Sequence, residues 1–393
     1  MPWKVRSVVD ERMKFVSRVL AGEPLAAVCR DFGISRKTGT KFWKRYQEEG
    51  PEGLLNRSRA TRRNNKTLCE ILEKRIVDLR KEKPYWGAPK LKELFIRRYP
   101  NVRAPSISTF HAVIKRNGLV KEKRKRALSS KATGTYLSVP KDPNDLWCTD
   151  YKGQFLLGNQ EYCYPLTITD SHSRYLLGCE AFYRINHTDV FTVFDRTFKE
   201  YGLPKAIRSD NGVPFGHPQS LFTLSPLSVW WLSLGIKVER IRPGHPEQNG
   251  RHERMHRTLK RECTKPPKKN LLQQQERFYE FVDEYNLERP HQSIDMKTPS
   301  EVYKKSNIEY DQYNELEYPL CDKTVKVTQC GGISLNGVHK RIFISKSFGG
   351  HNLGLKEEDD KIWSIYFMDH EIGCYDEKDK SFSPISSPLD EHV

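Results

Sequence analysis

Between residues 146 and 260 the chain runs through a succession that few folds accommodate. Three strand-like runs at short spacing (146–155, 162–169, 174–182) lead into an amphipathic helix (188–201) and a short strand-like run (205–209). A buried helix (226–234), an alternating strand (236–241) and a further helix come next. Short spacing suits an antiparallel meander, whereas strands separated by helices pair in parallel. Helix 188–201 puts Val190, Phe191, Phe194, Phe198 and Tyr201 on one face and stops at Gly202. Trp230 and Trp231 belong to the core of the buried helix. The order predicts a mixed α/β sheet with helices packed on it.

Acids sit in this framework where strand propensity disfavours them. Asp150 lies inside the first strand and Asp210 closes the run 205–209, at the strand end where α/β sheets present ligands. Glu253 follows the turn Arg242-Pro-Gly-His-Pro-Glu-Gln-Asn-Gly250 on a helix where Glu253, His256, Arg257 and Lys260 share one face. Met255 and Leu259 point elsewhere and can pack. Alone, that face reads as a salt-bridged surface. Carboxylates converging from a strand, a strand end and a helix offer hard oxygens to two divalent cations, Mg²⁺ or Mn²⁺, which clamp the attacking and leaving oxygens of a phosphodiester. Arg257 and Lys260 then lower the repulsion against a polyanion and hold a DNA phosphate. Among rival acids, Glu247 precedes the helix, Asp170 reads as a turn residue after the second strand, and Asp145 as a strand-entry cap. His256 reads as a DNA contact or a solvated side chain. His245, His252 and His256 have no cysteine partner, which argues against zinc.

Charge is concentrated upstream. Residues 1–134 carry a net +21 against +17 for the whole chain, so the expected partner is a polyanion meeting the N-terminal third. A helix over 10–20, a segment starting at Pro24, the turn Phe32-Gly-Ile34 and the N-cap Ser35 before a basic helix (36–47) make a helix-turn-helix. Arg36, Lys37, Thr38 and Lys41 are its candidate DNA contacts. The cation-rich stretch 51–63, with Arg59, Arg62 and Arg63, could lie along a groove. A helix marked by Leu68, Leu72, Ile76 and Leu79, then 85–94 and 106–116, suggest a second unit of this kind, with Ser106 and Lys115 toward DNA. A basic linker comes after it, including Lys123 and Arg124. Without an apolar run of about 18 residues or a signal-peptide core, the reading is a soluble, cytoplasmic protein with no membrane partner, nucleoid-associated when on DNA. Nine scattered cysteines, never in a C-x-x-C pair, argue for reduced thiols.

Past residue 270 a Gln/Glu-rich helix turns Phe278, Phe281, Val282 and Tyr285 inward, and Thr298 caps a short helix. Alternating runs at 324–328, 332–335, 341–345, 352–355 and 362–368 read as strands of a small barrel. The acidic stretch 357–360 favours protein contact or a structural role there over phosphate binding.

Four stretches carry a resemblance: Trp147-Cys-Thr-Asp150, Arg208-Ser-Asp-Asn-Gly-Val-Pro-Phe215, Pro243-Gly-His-Pro-Glu-Gln-Asn-Gly-Arg-His-Glu253 and Tyr285-Asn-Leu-Glu-Arg-Pro-His-Gln-Ser293. Together they resemble the integrase catalytic core of bacterial insertion-sequence transposases, relatives of retroviral integrases, and the similarity extends over essentially the whole chain. It implies a ribonuclease H-like core with an Asp-Asp-Glu site, here Asp150, Asp210 and Glu253, that cuts element ends and joins 3′-hydroxyls to target DNA with Mg²⁺. No His-His-Cys-Cys module precedes the core, as it does in the retroviral relatives. The expected organisation is a helix-turn-helix domain at 1–60, a second such unit at 61–120, a basic linker at 121–140, the core at 141–304, a linker at 305–320 and an SH3-like β-barrel at 321–393. The expected partners are double-stranded DNA, as terminal inverted repeats and target, and further copies of the chain in a synaptic complex. A ribonuclease H-like nuclease and a domesticated, non-catalytic DNA-binding regulator are the alternative readings.

Overall fold

The structure is a computed structural model. It describes residues 8–57, 68–120, 137–217, 219–242, 245–312, 316–335, 342–359 and 361–385, without the side chains of 246 and 247. Arg59, Arg62, Arg63, Lys123 and Arg124 therefore lie outside the described residues. Among those described, no helix is long and apolar enough to cross a membrane. The chain divides into two units, one ending at Cys69 and one beginning at Glu70.

The first unit packs α1 (Val8–Leu20), α2 (Leu25–Asp31) and α3 (Arg36–Glu49) around Phe15, Val16, Val28, Cys29 and Leu54. Gly33, at φ +62°, makes the turn between α2 and α3, and Ser35 Oγ accepts the Thr38 amide at 3.2 Å to start α3. The helices approach so closely at Gly39 that a Cβ there would lie 2.2 Å from Cys29 Sγ.

The second unit opens with α4 (Glu70–Glu82), α5 (Ala88–Arg98) and α6 (Ile107–Arg116). Ser106 caps α6 through the Thr109 amide, and Phe95 meets Phe110 edge to face at 5.6 Å. This bundle is seated on helical segments from the later part of the unit, between residues 261 and 301. Lys83 pairs with Glu284 and Glu288, Arg97 pairs with Glu301, and the Arg261 and Arg289 guanidinium groups lie 4.8 Å and 5.6 Å from the rings of Tyr85 and Trp86.

The central sheet uses β1 (Trp147–Tyr151), β2 (Phe155–Leu156), β3 (Tyr162–Asp170), β4 (Leu176–Phe182), β5 (Ala206–Ser209) and β6 (Lys237–Arg240). β3 is antiparallel to β1, β2 and β4, while β1, β5 and β6 run parallel. The expected first strand breaks at residues 152–154, and β2 resumes its pairing with β3 beyond the break. α7 (His187–Tyr201) and α8 (Pro226–Ser233) cover one face through Trp147, Ile168, Phe194, Ile207 and Trp231. α9 (Gly250–Cys263) and α10 (Leu271–Asp283) cover the other through Leu176, Cys179, Met255, Leu259 and Phe278. This is the mixed sheet of the ribonuclease H type. A short α11 (Pro299–Val302) carries a capping box of Thr298 and Glu301.

The C-terminal strands are β7 (Lys323–Lys326), β8 (Gly332–Ile333), β9 (Ile342–Phe343), β10 (Asn352–Asp359), β11 (Ile362–Phe367), β12 (His370–Asp376) and β13 (Ser381–Pro384). The order β13-β12-β11-β10-β7 is an antiparallel meander beside a separate β8-β9 pair, and the described strands do not close into a barrel. Its core includes Leu224 and Val229 from the start of α8 and the segment before it. The segment expected as a linker is anchored as well: Tyr310 Oη and Gln312 Nε2 donate to Asp195 Oδ1 on α7 at 2.9 Å and 2.7 Å.

Candidate active site

β1 and β5 are neighbours and parallel, so their C-terminal ends lie side by side, and α9 crosses the same face. Asp150 projects from β1, Asp210 immediately follows β5, and Glu253 stands in the first turn of α9. The turn at Asp210 is tightly built. Gly212 N donates to Asp210 Oδ1 at 3.1 Å, and a Cβ at Gly212 would stand 3.2 Å from Asp210 Oδ2. Asn211 Nδ2 donates to Ile241 O at 2.6 Å, fixing the turn to the end of β6. Upstream, buried Arg208 pairs with buried Glu239 at 2.9 Å and donates to Gln248 O at 3.2 Å, which ties β5 and β6 to the turn before α9.

Asp150 stands in the field of both other acids. Burial, then Asp210 and Glu253, push its carboxyl up to about 7. Burial also raises Asp210. Even so, among the described residues no three His, Cys, Asp or Glu side chains stand close enough to grip one ion. Cations rim the group. Arg257 and Lys260 are exposed on α9, and half-buried Lys152 lies near both Lys260 and Asp150, its ammonium depressed first by burial and then by Lys260. Sequence reading passed over Lys152, although its place two residues beyond Asp150 was a usable signal.

His256 departs from expectation. It is buried at 7% exposure and His252 at 1%, so His256 neither reaches solvent nor shares the open face of Glu253, Arg257 and Lys260. Its true neighbours on α9 are His252, Met255, Leu259 and Cys263, all buried against the sheet. Two threonines make this possible. Thr167 Oγ1 lies 2.8 Å from His252 Nε2 and 2.7 Å from His256 Nε2, and Thr169 Oγ1 lies 2.7 Å from His252 Nδ1. Burial pushes His252 down to about 3 and His256 well below the usual imidazole range, so both rings are neutral. The spacing of 252, 255, 256, 259 and 263 is the pattern of a buried helix stripe and could have revealed them.

Asp170 is likewise no turn residue. It ends β3 fully buried, and its carboxylate accepts from Asn144 N at 2.9 Å, Ser173 N at 2.7 Å and Ser173 Oγ at 2.6 Å. Asp145 accepts from the Lys141 and Asp142 amides and pairs with Lys205. Of the DNA-facing candidates, Arg36, Lys37, Lys41, Ser106 and Lys115 are exposed. The Thr38 hydroxyl is engaged with Ser35 Oγ at 2.8 Å, and Ser106 Oγ is shared with Ser108, Thr109 and its cap.

Two family models described as integrase core domain match residues 140–246 and 234–299. A 31.7 kDa protein of insertion element IS407 from Burkholderia multivorans is 25% identical over 244 residues, 62% of this chain and 84% of that protein. A 39.2 kDa protein of insertion element IS476 from Xanthomonas euvesicatoria is 26% identical over 233 residues, 59% of this chain and 64% of that protein. Residues 140–299 thus carry an integrase core domain, and the chain is similar to proteins of bacterial insertion elements. The chain also matches a helix-turn-helix domain over residues 11–63 and a homeodomain-like domain over 38–114, which gives it DNA-binding modules ahead of the core. Among solved structures, the HTLV-2 integrase catalytic core domain with magnesium is 16% identical, covers 42% of this chain and 99% of its own, and superposes with a TM-score of 0.33. That likeness is too loose to add to the assignment.

Proposed function

We propose that this chain is a bacterial insertion-sequence transposase that binds the terminal inverted repeats of its element through its helix-turn-helix units, frees the 3′ ends and joins them to target DNA at Asp150, Asp210 and Glu253. The observation that carries the reading is the half-buried Asp150 carboxyl in the field of two other acids, with Lys152 and Lys260 nearby and Arg257 exposed on the same helix. Three like charges in one field are a cost to the fold unless a cation joins them, and hard carboxylate oxygens suit a divalent one. We assign the three acids as ligands divided between two such ions, Mg²⁺ or Mn²⁺, in keeping with a spacing at which no three of the described acids could grip a single ion. Bound there, such ions neutralise charge on the attacking and leaving oxygens of a phosphodiester. The basic side chains hold backbone phosphates against the acidic centre. Water attacks the phosphodiester at the element end, releasing its 3′-hydroxyl and leaving the phosphate on the flanking strand; that hydroxyl then attacks a target phosphodiester and displaces a target 3′-hydroxyl, both in line, so no side chain forms a bond to DNA.

On the DNA side, Arg36, Lys37, Thr38 and Lys41 begin α3 and present the contacts expected of a recognition helix, with Ser106 and Lys115 playing that part on α6. Arg59, Arg62, Arg63, Lys123 and Arg124 complete the proposed backbone contacts. Joining two ends calls for more than one copy of the chain, working in the bacterial cytoplasm on the nucleoid. We read the C-terminal meander, which shares its core with α8, as a surface that contacts a neighbouring subunit. Replacing Asp210 by Asn tests the centre: strand transfer with Mg²⁺ or Mn²⁺ is abolished while binding to end DNA persists. A mutant that joins ends as well as the parent removes the assignment.

A further inference from the structure

Two guanidinium groups converge on one carbonyl in the loop that follows β3. Arg174 Nη1 donates to Ser171 O at 2.8 Å, and Arg251 Nη1, from the first turn of α9, donates to the same oxygen at 3.0 Å. Arg174 Nε reaches Ser293 Oγ at 3.3 Å. Arg254, exposed one turn further along α9, adds a third cation. Among the described residues none of the three arginines is paired with an acid. Nearby Asp170 is fully buried and its carboxylate accepts from Asn144 and Ser173 instead, while Glu262 on α9 is paired with Arg289 at 2.8 Å. The crowding disfavours the charged state. Burial first, then Arg251 and, more weakly, Arg254 hold the Arg174 guanidinium down at about 10. Arg174 also sits at φ +69°, a left-handed conformation that costs a long side chain energy. Cations gathered in this way without a carboxylate are relieved when an anion joins them.

The cluster lies on the flank of α9 turned away from Glu253, since at about 3.6 residues per turn Arg251 stands nearly opposite it. Asp170, just before the loop, pairs with Trp147 on β1. Trp147 is about 10 Å behind Asp150 along the strand, roughly three base-pair rises of a duplex. On its other side the cluster runs toward the α4–α6 bundle: burial, then Lys90 of α5, Arg289 and Arg174 all lower the His291 imidazole.

We propose that Arg174, Arg251 and Arg254 form a seat for one backbone phosphate of the element-end strand, about three nucleotides from the bond that is cut. The inference rests on the reading of this chain as a transposase and adds to the acids a fixed point that sets how far the strand reaches toward them. Guanidinium forks match the oxygens of a phosphodiester. The bundle carries Ser106 and Lys115, the proposed end-reading residues of α6, so the strand led past this flank is the element end and not the target.

Full-length protein and a duplex of the element's terminal inverted repeat supply the test, with affinity followed against salt. Replacing both Arg174 and Arg251 by Gln is expected to make the slope of log K against log salt shallower by about 0.9, the share of one phosphate. Replacing both by Lys keeps the charge and is expected to keep the slope. An unchanged slope in the glutamine variant, or an equal loss in the lysine variant, overturns the proposal. A single methylphosphonate is then moved along the end strand. The parent is expected to lose affinity when it stands about three nucleotides from the cut, and the glutamine variant to lose nothing further there. Coupling to a target duplex alone overturns the assignment to the end strand. Altered self-association of the DNA-free chain with an intact slope overturns it in favour of a carboxylate from a neighbouring copy. A parent that does not bind the repeat at all removes the transposase reading and the seat with it, which tells that failure from the others.

Discussion

A carboxyl that keeps its proton up to about 7 records an unmet charge. Asp150 does so because burial and the neighbouring Asp210 and Glu253 all disfavour its ionised form. Folded chain holds this proton below about 7, whereas an unfolded aspartate releases it above its ordinary 3.8. Metal-free protein therefore loses stability as pH rises through that window. Asp150→Asn removes the ionisable group. Thermal melts in chelator are expected to show the mutant more stable than the parent at mildly alkaline pH, with the gap closing as pH falls toward the lower limit. A mutant no more stable than the parent at alkaline pH would mean that the site does not strain Asp150. The same residues show why histidines mislead a sequence reader. His252 and His256 are polar letters on a buried stripe, and their burial is tolerable only because Thr167 and Thr169, in a different strand, supply their hydrogen bonds.

α9 has two faces with different tasks. Glu253, Arg257 and Lys260 are open, while His252, Met255, His256, Leu259 and Cys263 are closed against the sheet. α3 has a comparable division, and its critical position is Gly39, where α3 meets Cys29 and Phe15. Gly39→Ala drives a methyl group into Cys29 Sγ and is expected to destabilise the first unit by about 1–3 kcal/mol despite better helix propensity. Chemical denaturation of the isolated segment 1–69 measures this, and unchanged or increased stability would refute the close packing. Elements were not equally legible. Helices and the central strands follow their apolar periodicity, but β12 and β13 escaped sequence reading. The first carries charged residues and Gly373, and the second is Ser-Phe-Ser-Pro at a sheet edge, so each is a strand chiefly because a partner strand lies beside it.

Assembly of the second unit is closer than its sequence suggests. The α4–α6 bundle is held by ion pairs and cation–π contacts to the end of α9 and the region after it, and the C-terminal meander completes its core with Leu224 and Val229. Ser347 Oγ donates to Leu224 O at 2.6 Å across the same junction. A chain ending at residue 312 would bare Leu224 and Val229 together with the partly covered Leu221, Phe222 and Leu232. Such a chain is expected to melt below the full-length protein and to bind a hydrophobic dye in its folded state. A truncated chain with an unchanged melting point would show the meander to be an independent module.

Sequence alone determined the order of elements, the basic character of the first third and the three acids with their places on strand, strand end and helix. Those arise from local propensity, periodicity and composition, which act over a few residues. Tertiary structure decided what depends on pairing between distant segments. It put His256 under Asp150 instead of in solvent, buried Asp170 among backbone amides, brought Lys152 to the rim and left the C-terminal strands as an open meander sharing its core with α8. The stretch from Arg242 to Lys260 shows the division best. Its spacing announces a helix that carries Glu253, but the side of that helix which faces the sheet is selected by the hydroxyl groups of a strand some eighty residues earlier.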